Sequence, residues 1–129
     1  MEDGSVICFL LLWRELVRAF EIVYAAELDE VLKAERCLLY DIREPEEYAK
    51  GHWPMARNYP YGELEKGFGR LPKNRKIILY CEHGGTSMQM ARTMGNEGYQ
   101  VATVVGGYEA MEKLVKEKNG MVKISGKKF

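Results

Sequence analysis

Residues 77–80 read Ile-Ile-Leu-Tyr, four large apolar side chains in succession. Successive side chains of a strand point to opposite faces, so such a strand needs apolar cover on both sides. Lys76 precedes the run, Cys81 ends it, and a glycine pair, Gly84-Gly85, follows. A strand buried on both faces belongs in the middle of a sheet, and that requirement organises the reading of the rest of the chain.

Shorter apolar runs occupy residues 20–24, 37–42, 56–59 and 101–105, each readable as a strand. Between them lie segments of helical character. Residues 25–34 place Leu28, Val31 and Leu32 on one face, and 44–50 carry Pro45 near the start, where its missing N–H costs little. Residues 61–68 are weakly helical. Residues 86–97 carry Met88, Ala91 and Met94 at helical spacing before Gly98, and 108–118 follow Gly106-Gly107. Residues 121–124 are expected to form a final edge strand or a tail. Strands alternating with helices predict an α/β fold, with a central parallel sheet covered by helices on both faces.

With 129 residues, the chain suits one domain. Nineteen Lys and Arg balance nineteen Asp and Glu, so the broad basic footprint of a nucleic-acid-binding protein is absent and no such partner is expected. Cys8, Cys37 and Cys81 are odd in number and form no CxxC pair, which argues against a disulfide framework and a structural zinc site and favours a reducing cytoplasm. Residues 6–13 are apolar but far short of the ~20 needed to span a bilayer, and acidic Glu2 and Asp3 precede them. Residues 5–19 read as an extra N-terminal helix whose apolar stripe covers most of its circumference. That surface could pack on the domain, form a subunit interface or rest on a membrane surface. A homodimer through this helix is the expectation, with residues 1–20 as an extension and 21–129 as the main domain.

In an open parallel sheet the active crevice lies beyond the carboxyl ends of the strands. Three such ends stand out: Asp41-Ile42-Arg43, then Cys81-Glu82-His83-Gly84-Gly85-Thr86-Ser87, then Gly106-Gly107. In the second, a cysteine ends a buried strand and a glycine-bearing loop leads into a helix. Backbone amides of such a loop, with the helix N-terminus, can form a nest for an anion, a setting that favours a thiolate. Thr86 or Ser87 is expected to cap the helix. A strand-end cysteine can equally be a small apolar core residue. Asp41 and Arg43 can be loop-bracing charges, His52 a structural hydrogen-bonder, and Arg92 a solvated cation.

The stretch Asp41-Ile42-Arg43-Glu44-Pro45-Glu46-Glu47-Tyr48, followed by Gly51-His52-Trp53-Pro54-Met55-Ala56, resembles the first signature of the rhodanese family, D-x-R-x-x-x-E-[FY] and then G-H-I-P-G-A. Cys81-x-His83-Gly84-x-Thr86-Ser87 resembles the active-site loop C-x-H-G-x-[RST]-S of single-domain members, and residues 105–110 are similar to the late L-x-G-G-x-x-A-W turn. The resemblance spans roughly residues 25–116. It implies a rhodanese fold and a sulfurtransferase in which Cys81 carries a sulfane sulfur as a persulfide. Amides from Glu82 to Ser87 would hold the anion, Asp41 and Arg43 would support the loop, and no metal or organic cofactor would be needed. Partners would then be a small-molecule or protein sulfur donor and an acceptor. A non-catalytic binding or redox-sensing module on the same fold is the alternative. A phosphatase would need Arg where Ser87 stands.

The chain departs from the pattern in four places. Trp53 replaces Ile and Met55 replaces Gly, so the turn before Asn58 is expected to run differently. Thr86 stands where many members have Arg. Glu82 stands where thiosulfate-using members often carry Arg or Lys, and a carboxylate there repels a dianionic donor.

Overall fold

A computed structural model describes residues 19–124, with side chains as far as residue 119. The proposed N-terminal helix, its apolar surface and the dimer expected through it lie outside the described residues. Five strands form one sheet: β1 Glu21–Val23, β2 Leu38–Asp41, β3 Arg57–Asn58, β4 Ile77–Tyr80 and β5 Val101–Val104. All pair in parallel, in the order β1-β5-β4-β2-β3, which places β4 at the centre. The helices are α1 Leu28–Ala34, entered by a 3-10 turn at Ala25–Glu27, then α2 Pro45–Lys50, α3 Tyr61–Gly67, α4 Gly85–Asn96 and α5 Gly107–Ile124. A second 3-10 turn, Phe68–Arg70, follows α3.

The central run behaves as its composition requires. Ile77, Ile78, Leu79 and Tyr80 are all fully buried. Ile77, Leu79 and Cys81 pack with Leu64 of α3 and Met90, Ala91 and Met94 of α4 on one face. Ile78 and Tyr80 pack on the other, with Leu28 of α1, Met111 of α5 and Trp53. Each such side chain contributes about 1.5–3 kcal/mol by leaving water, so β4 anchors both layers.

Three local expectations are corrected. Residues 121–124 do not form a strand or tail; the backbone of α5 continues through Ile124 as helix. The buried stripe of α4 is Ser87, Met90, Ala91 and Met94, while Met88 is exposed. That stripe is one of two that share Ala91 and Met94, and only the facing sheet chooses between them. The cap of α4 is Gly84, in a left-handed conformation at φ +103°, and no side chain caps the helix, so neither Thr86 nor Ser87 has that role. The turn with Trp53 and Met55 has a clear geometry. Trp53 is buried, donating its N–H to Tyr80 Oη at 3.0 Å and its indole N–H to Asp29 at 3.2 Å. Met55 sits at φ +73°, the one non-glycine with positive φ among the described residues. A Cβ costs roughly 1–2 kcal/mol in that conformation, so the backbone here keeps a shape suited to glycine.

Candidate active site

The carboxyl ends of β2, β4 and β5 lie side by side, and all three sequence signatures meet there. From β2 the chain passes through Asp41, fully buried, to Arg43, which is 7% exposed. Arg43 donates from Nε to both Asp41 oxygens (3.0 and 3.1 Å) and from Nη2 to Asp41 Oδ2 and Gly51 O (2.7 Å each). Its Nη1 donates to Glu82 Oε1 at 3.2 Å. One N–H on Nε, two on Nη2 and one on Nη1 are thus engaged, out of the five a guanidinium carries. The guanidinium carbon lies 4.0 Å from the centroid of the Tyr108 ring. Burial works against the guanidinium charge, but the hydrogen bonds and charge of Asp41, with Glu82 adding to them, hold Arg43 above its ordinary range. Asn58 completes the brace, donating Nδ2 to the carbonyls of Asp41 and Arg43 at 2.9 Å each.

From β4 the chain enters the loop at Cys81, which is buried. The backbone N–H groups of Gly84 and Ser87 point at Cys81 Sγ, at 3.1 and 3.3 Å. Ser87 Oγ lies 3.5 Å from the sulfur. The first turn of α4 thus folds over the cysteine, and the left-handed Gly84 permits it. The sulfur sits where two amides and a helix N-terminus favour negative charge.

The β5 end holds the loop from the other side. Tyr108 N–H donates to Cys81 O at 2.8 Å and Glu109 N–H to Glu82 O at 3.0 Å. Gly107, at φ +61°, lies so close that a Cβ there would overlap Cys81 O and stand 2.8 Å from the carbonyl atoms of Glu82. A glycine at 107 is what lets β5's turn reach the β4 loop.

Of the residues singled out from sequence, Cys81, Gly84 and Ser87 converge on the sulfur, and Asp41 and Arg43 reach the loop through Glu82. His83 is exposed and pairs with Glu109 Oε1 at 3.2 Å instead of turning to the sulfur. Gly85 and Thr86 are exposed on the first turn of α4. Arg92 lies over the Phe20 ring at 5.8 Å, and His52 stacks on Tyr48 at 3.7 Å. The sequence reading missed Tyr108 and Thr103. Thr103, fully buried on β5, places Oγ1 2.6 Å from Ser87 Oγ. Its signal was present: a single hydroxyl within the apolar run Val-Ala-Thr-Val-Val.

Beside the loop is a hollow of about 170 Å³ with three carboxylates, Glu47, Glu82 and Glu112, at its walls. Its two cations, Arg43 and Lys50, are already ion-paired, to Asp41 and Glu82 and to Glu47 respectively. No helix among the described residues is long and apolar enough to cross a membrane.

Comparison with known proteins agrees with this fold. The rhodanese-like domain family matches residues 24–114. A Bacillus subtilis protein named "Putative sulfurtransferase YtwF" is 31% identical over 99 residues, covering 77% of this chain and 96% of that protein. The B. subtilis "Putative sulfur carrier protein YrkF" is 39% identical over 88 residues, covering 67% of this chain but only 48% of that protein. Among solved structures, a rhodanese-related protein from Thermoplasma volcanium superposes with a TM-score of 0.67 at 28% identity, over 73% of this chain and 92% of that one.

Proposed function

The chain belongs to the rhodanese-like family, and from that premise we propose that it is a sulfurtransferase that carries a sulfane sulfur on Cys81. The observation that carries this reading is the pair of backbone N–H groups, from Gly84 and Ser87, aimed at Cys81 Sγ. An amide pair fixed in this way stabilises an anionic sulfur without reorganising during the reaction. In the first half-reaction the Cys81 thiolate attacks the outer sulfur of a donor. The donor's S–S bond breaks and the donor fragment leaves with the electron pair, as sulfite from thiosulfate or as a thiolate from an organic persulfide. The persulfide on Cys81 is then attacked at its terminal sulfur by an acceptor nucleophile, and Cys81 departs as thiolate. The cycle is covalent and ping-pong. Asp41 and Arg43 support the loop and take no proton. Residues 1–20 are proposed as an extension to this catalytic unit, with Phe20 at its end packed against the core.

The electrostatics favour a donor of low charge. Arg43, the cation paired with the loop residue Glu82, has four of its N–H groups committed, and the adjoining hollow is rich in carboxylates. Among the described residues that line the hollow, a dianion such as thiosulfate meets Glu82 with no unpaired cation to offset it, whereas an organic or protein persulfide, with at most one negative charge on its sulfur, meets less repulsion.

Intact-mass measurement after incubation with thiosulfate or with an organic persulfide tests the reading. One added sulfur on the wild type, absent from Cys81→Ser, is expected, with the organic donor loading faster. A wild-type chain that gains no sulfur from either donor would sink the transferase reading in favour of a binding or redox-sensing module. Glu82→Gln should raise the thiosulfate rate: repulsion between one carboxylate and a dianion several ångströms away is on the order of 1 kcal/mol in a water-like dielectric, or several-fold in kcat/KM. An unchanged thiosulfate rate in that variant removes loop charge as the reason for donor choice.

A further inference from the structure

The hydroxyl pair behind the cysteine points to a role that the loop alone does not account for. Thr103 is fully buried on β5, and the partner of its Oγ1 in the structure is Ser87 Oγ, at 2.6 Å. Ser87 is equally buried and has one proton to give. Gly84 O, 3.2 Å from Ser87 Oγ, is an acceptor, and so is an anionic Cys81 sulfur 3.5 Å away. Both contacts need the Ser87 proton, which leaves Thr103 as the donor in the 2.6 Å bond. Gly84 O does not depend on Ser87, because Met88 N–H also donates to it at 3.1 Å. The Ser87 proton can therefore move from Gly84 O to the sulfur without orphaning a buried carbonyl.

We propose that Thr103 is a positioning residue for the Cys81 sulfur, acting through Ser87. In the thiol state the Cys81 S–H donates to Ser87 Oγ. In the thiolate and persulfide states Ser87 turns its O–H toward the anionic sulfur, and Thr103 O–H fills the lone pair on Ser87 Oγ. Between these states the Cys81 proton passes to solvent water, and every other proton stays on its own oxygen while the direction of existing hydrogen bonds changes. A chain of two hydroxyls polarises toward a charge at its end, so removing the far donor weakens the near one. Without the Thr103 hydroxyl, the Cys81 S–H is left as the donor to Ser87 Oγ, and the thiolate state leaves that oxygen with none, which favours the thiol.

This role rests on Cys81 being the reactive sulfur, but its test needs no sulfur donor. Iodoacetamide alkylation of Cys81 is followed by peptide mass mapping in the full chain from pH 5 to 10, which separates it from Cys8 and Cys37. Thr103→Val is close to isosteric. It should slow Cys81 alkylation on the acid side of the profile by about three- to tenfold, the range one net hydrogen bond supports, and leave the alkaline plateau unchanged. Thr103→Ser should restore the wild-type profile. The charged and titratable groups around the loop, Arg43 with Glu82 and His83 with Glu109, are unaltered in every variant and so are common to the whole comparison.

Ser87→Ala alone should move the profile the same way, and adding Thr103→Val to it should change nothing further, since the coupling runs through Ser87. A Thr103→Val profile that overlays the wild type overturns the proposal, as does a full additive effect on the Ser87→Ala background. If Thr103→Val does not fold, Thr103→Ala and the Ser87→Ala cycle give the same decision. A chain that takes up no sulfur yet shows these profile shifts would refute sulfur transfer and leave the Thr103 role standing.

Discussion

Replacing Gly107 with alanine tests how the β5 turn holds the cysteine loop. Two separate costs follow from the structure. Gly107 has φ +61°, and a Cβ in the left-handed region costs roughly 1–2 kcal/mol. The same Cβ would overlap Cys81 O and stand 2.8 Å from Glu82 C and O, all backbone atoms, where ordinary contact begins at 3.4 Å. Backbone on both sides must separate. The bonds placed to feel that separation are Tyr108 N–H to Cys81 O at 2.8 Å and Glu109 N–H to Glu82 O at 3.0 Å. Losing both costs about 0.5–1.5 kcal/mol each. The sum is roughly 2–5 kcal/mol, a large part of the 5–15 typical of a whole domain. Urea unfolding followed by circular dichroism measures it. Gly62→Ala is the matched control: Gly62 lies inside α3, a Cβ there meets nothing within 4 Å, and alanine in a helix gains about 0.5–1 kcal/mol. Cys81 alkylation in Gly107→Ala, measured below the unfolding range, should also change, because the displaced carbonyl belongs to Cys81 itself. A Gly107→Ala variant within about 0.5 kcal/mol of wild type, with unaltered Cys81 reactivity, would refute the argument that this turn presses on the loop.

Arg43→Lys keeps the charge but not the fork that spans Asp41, Gly51 and Glu82, so it should cost about 1.5–3 kcal/mol in urea for each charged hydrogen bond the ammonium cannot remake, and a change under 1 kcal/mol would contradict the bracing role. Tyr80 provides a pH dependence. Burial, ahead of the nearby Asp41 carboxylate, pushes its phenol well above the ordinary tyrosine range, despite the opposing Trp53 N–H and Arg43 charge. The unfolded chain releases this proton near pH 10 and the folded chain keeps it, so the stability is fully present below about pH 10 and is lost as pH rises beyond it, at about 1.4 kcal/mol per pH unit for one proton. Tyr80→Phe should lose about 1 kcal/mol at neutral pH, from the orphaned Trp53 N–H, while its alkaline limb flattens by one proton's slope; an alkaline limb as steep as the wild type's would remove Tyr80 as the cause.

How far the sequence carries depends on whether a signal is local. The Ile77–Tyr80 strand was legible because four consecutive apolar residues admit few other placements, and its two-sided burial follows from strand alternation. The Cys81 loop was legible because a strand end, a glycine and a helix start are contiguous in the chain. The stripe of α4 was only half legible: Met88 and Met90 are equally apolar, and the one that faces β4 and β5 depends on the angle at which Gly84 launches the helix. Residues 121–124 misled because Val and Ile suit a strand, whereas the backbone continues α5 to Ile124.

The sequence by itself determined the α/β class, the central strand and the cysteine at its carboxyl end, since each rests on neighbours in the chain and on the period of two or 3.6 residues. Only the tertiary structure decided what that cysteine feels. It set Arg43 against Glu82 with three further donors spent on Asp41 and Gly51, pressed Gly107 onto the Cys81 carbonyl, and brought Thr103 within 2.6 Å of Ser87. The pairs Thr103–Ser87, Gly107–Cys81 and Arg43–Glu82 lie 16 to 39 positions apart in the chain. Hydrogen bonding and steric contact act over a few ångströms of space, so no pattern along the chain could express them until adjacent parallel strands brought their ends together.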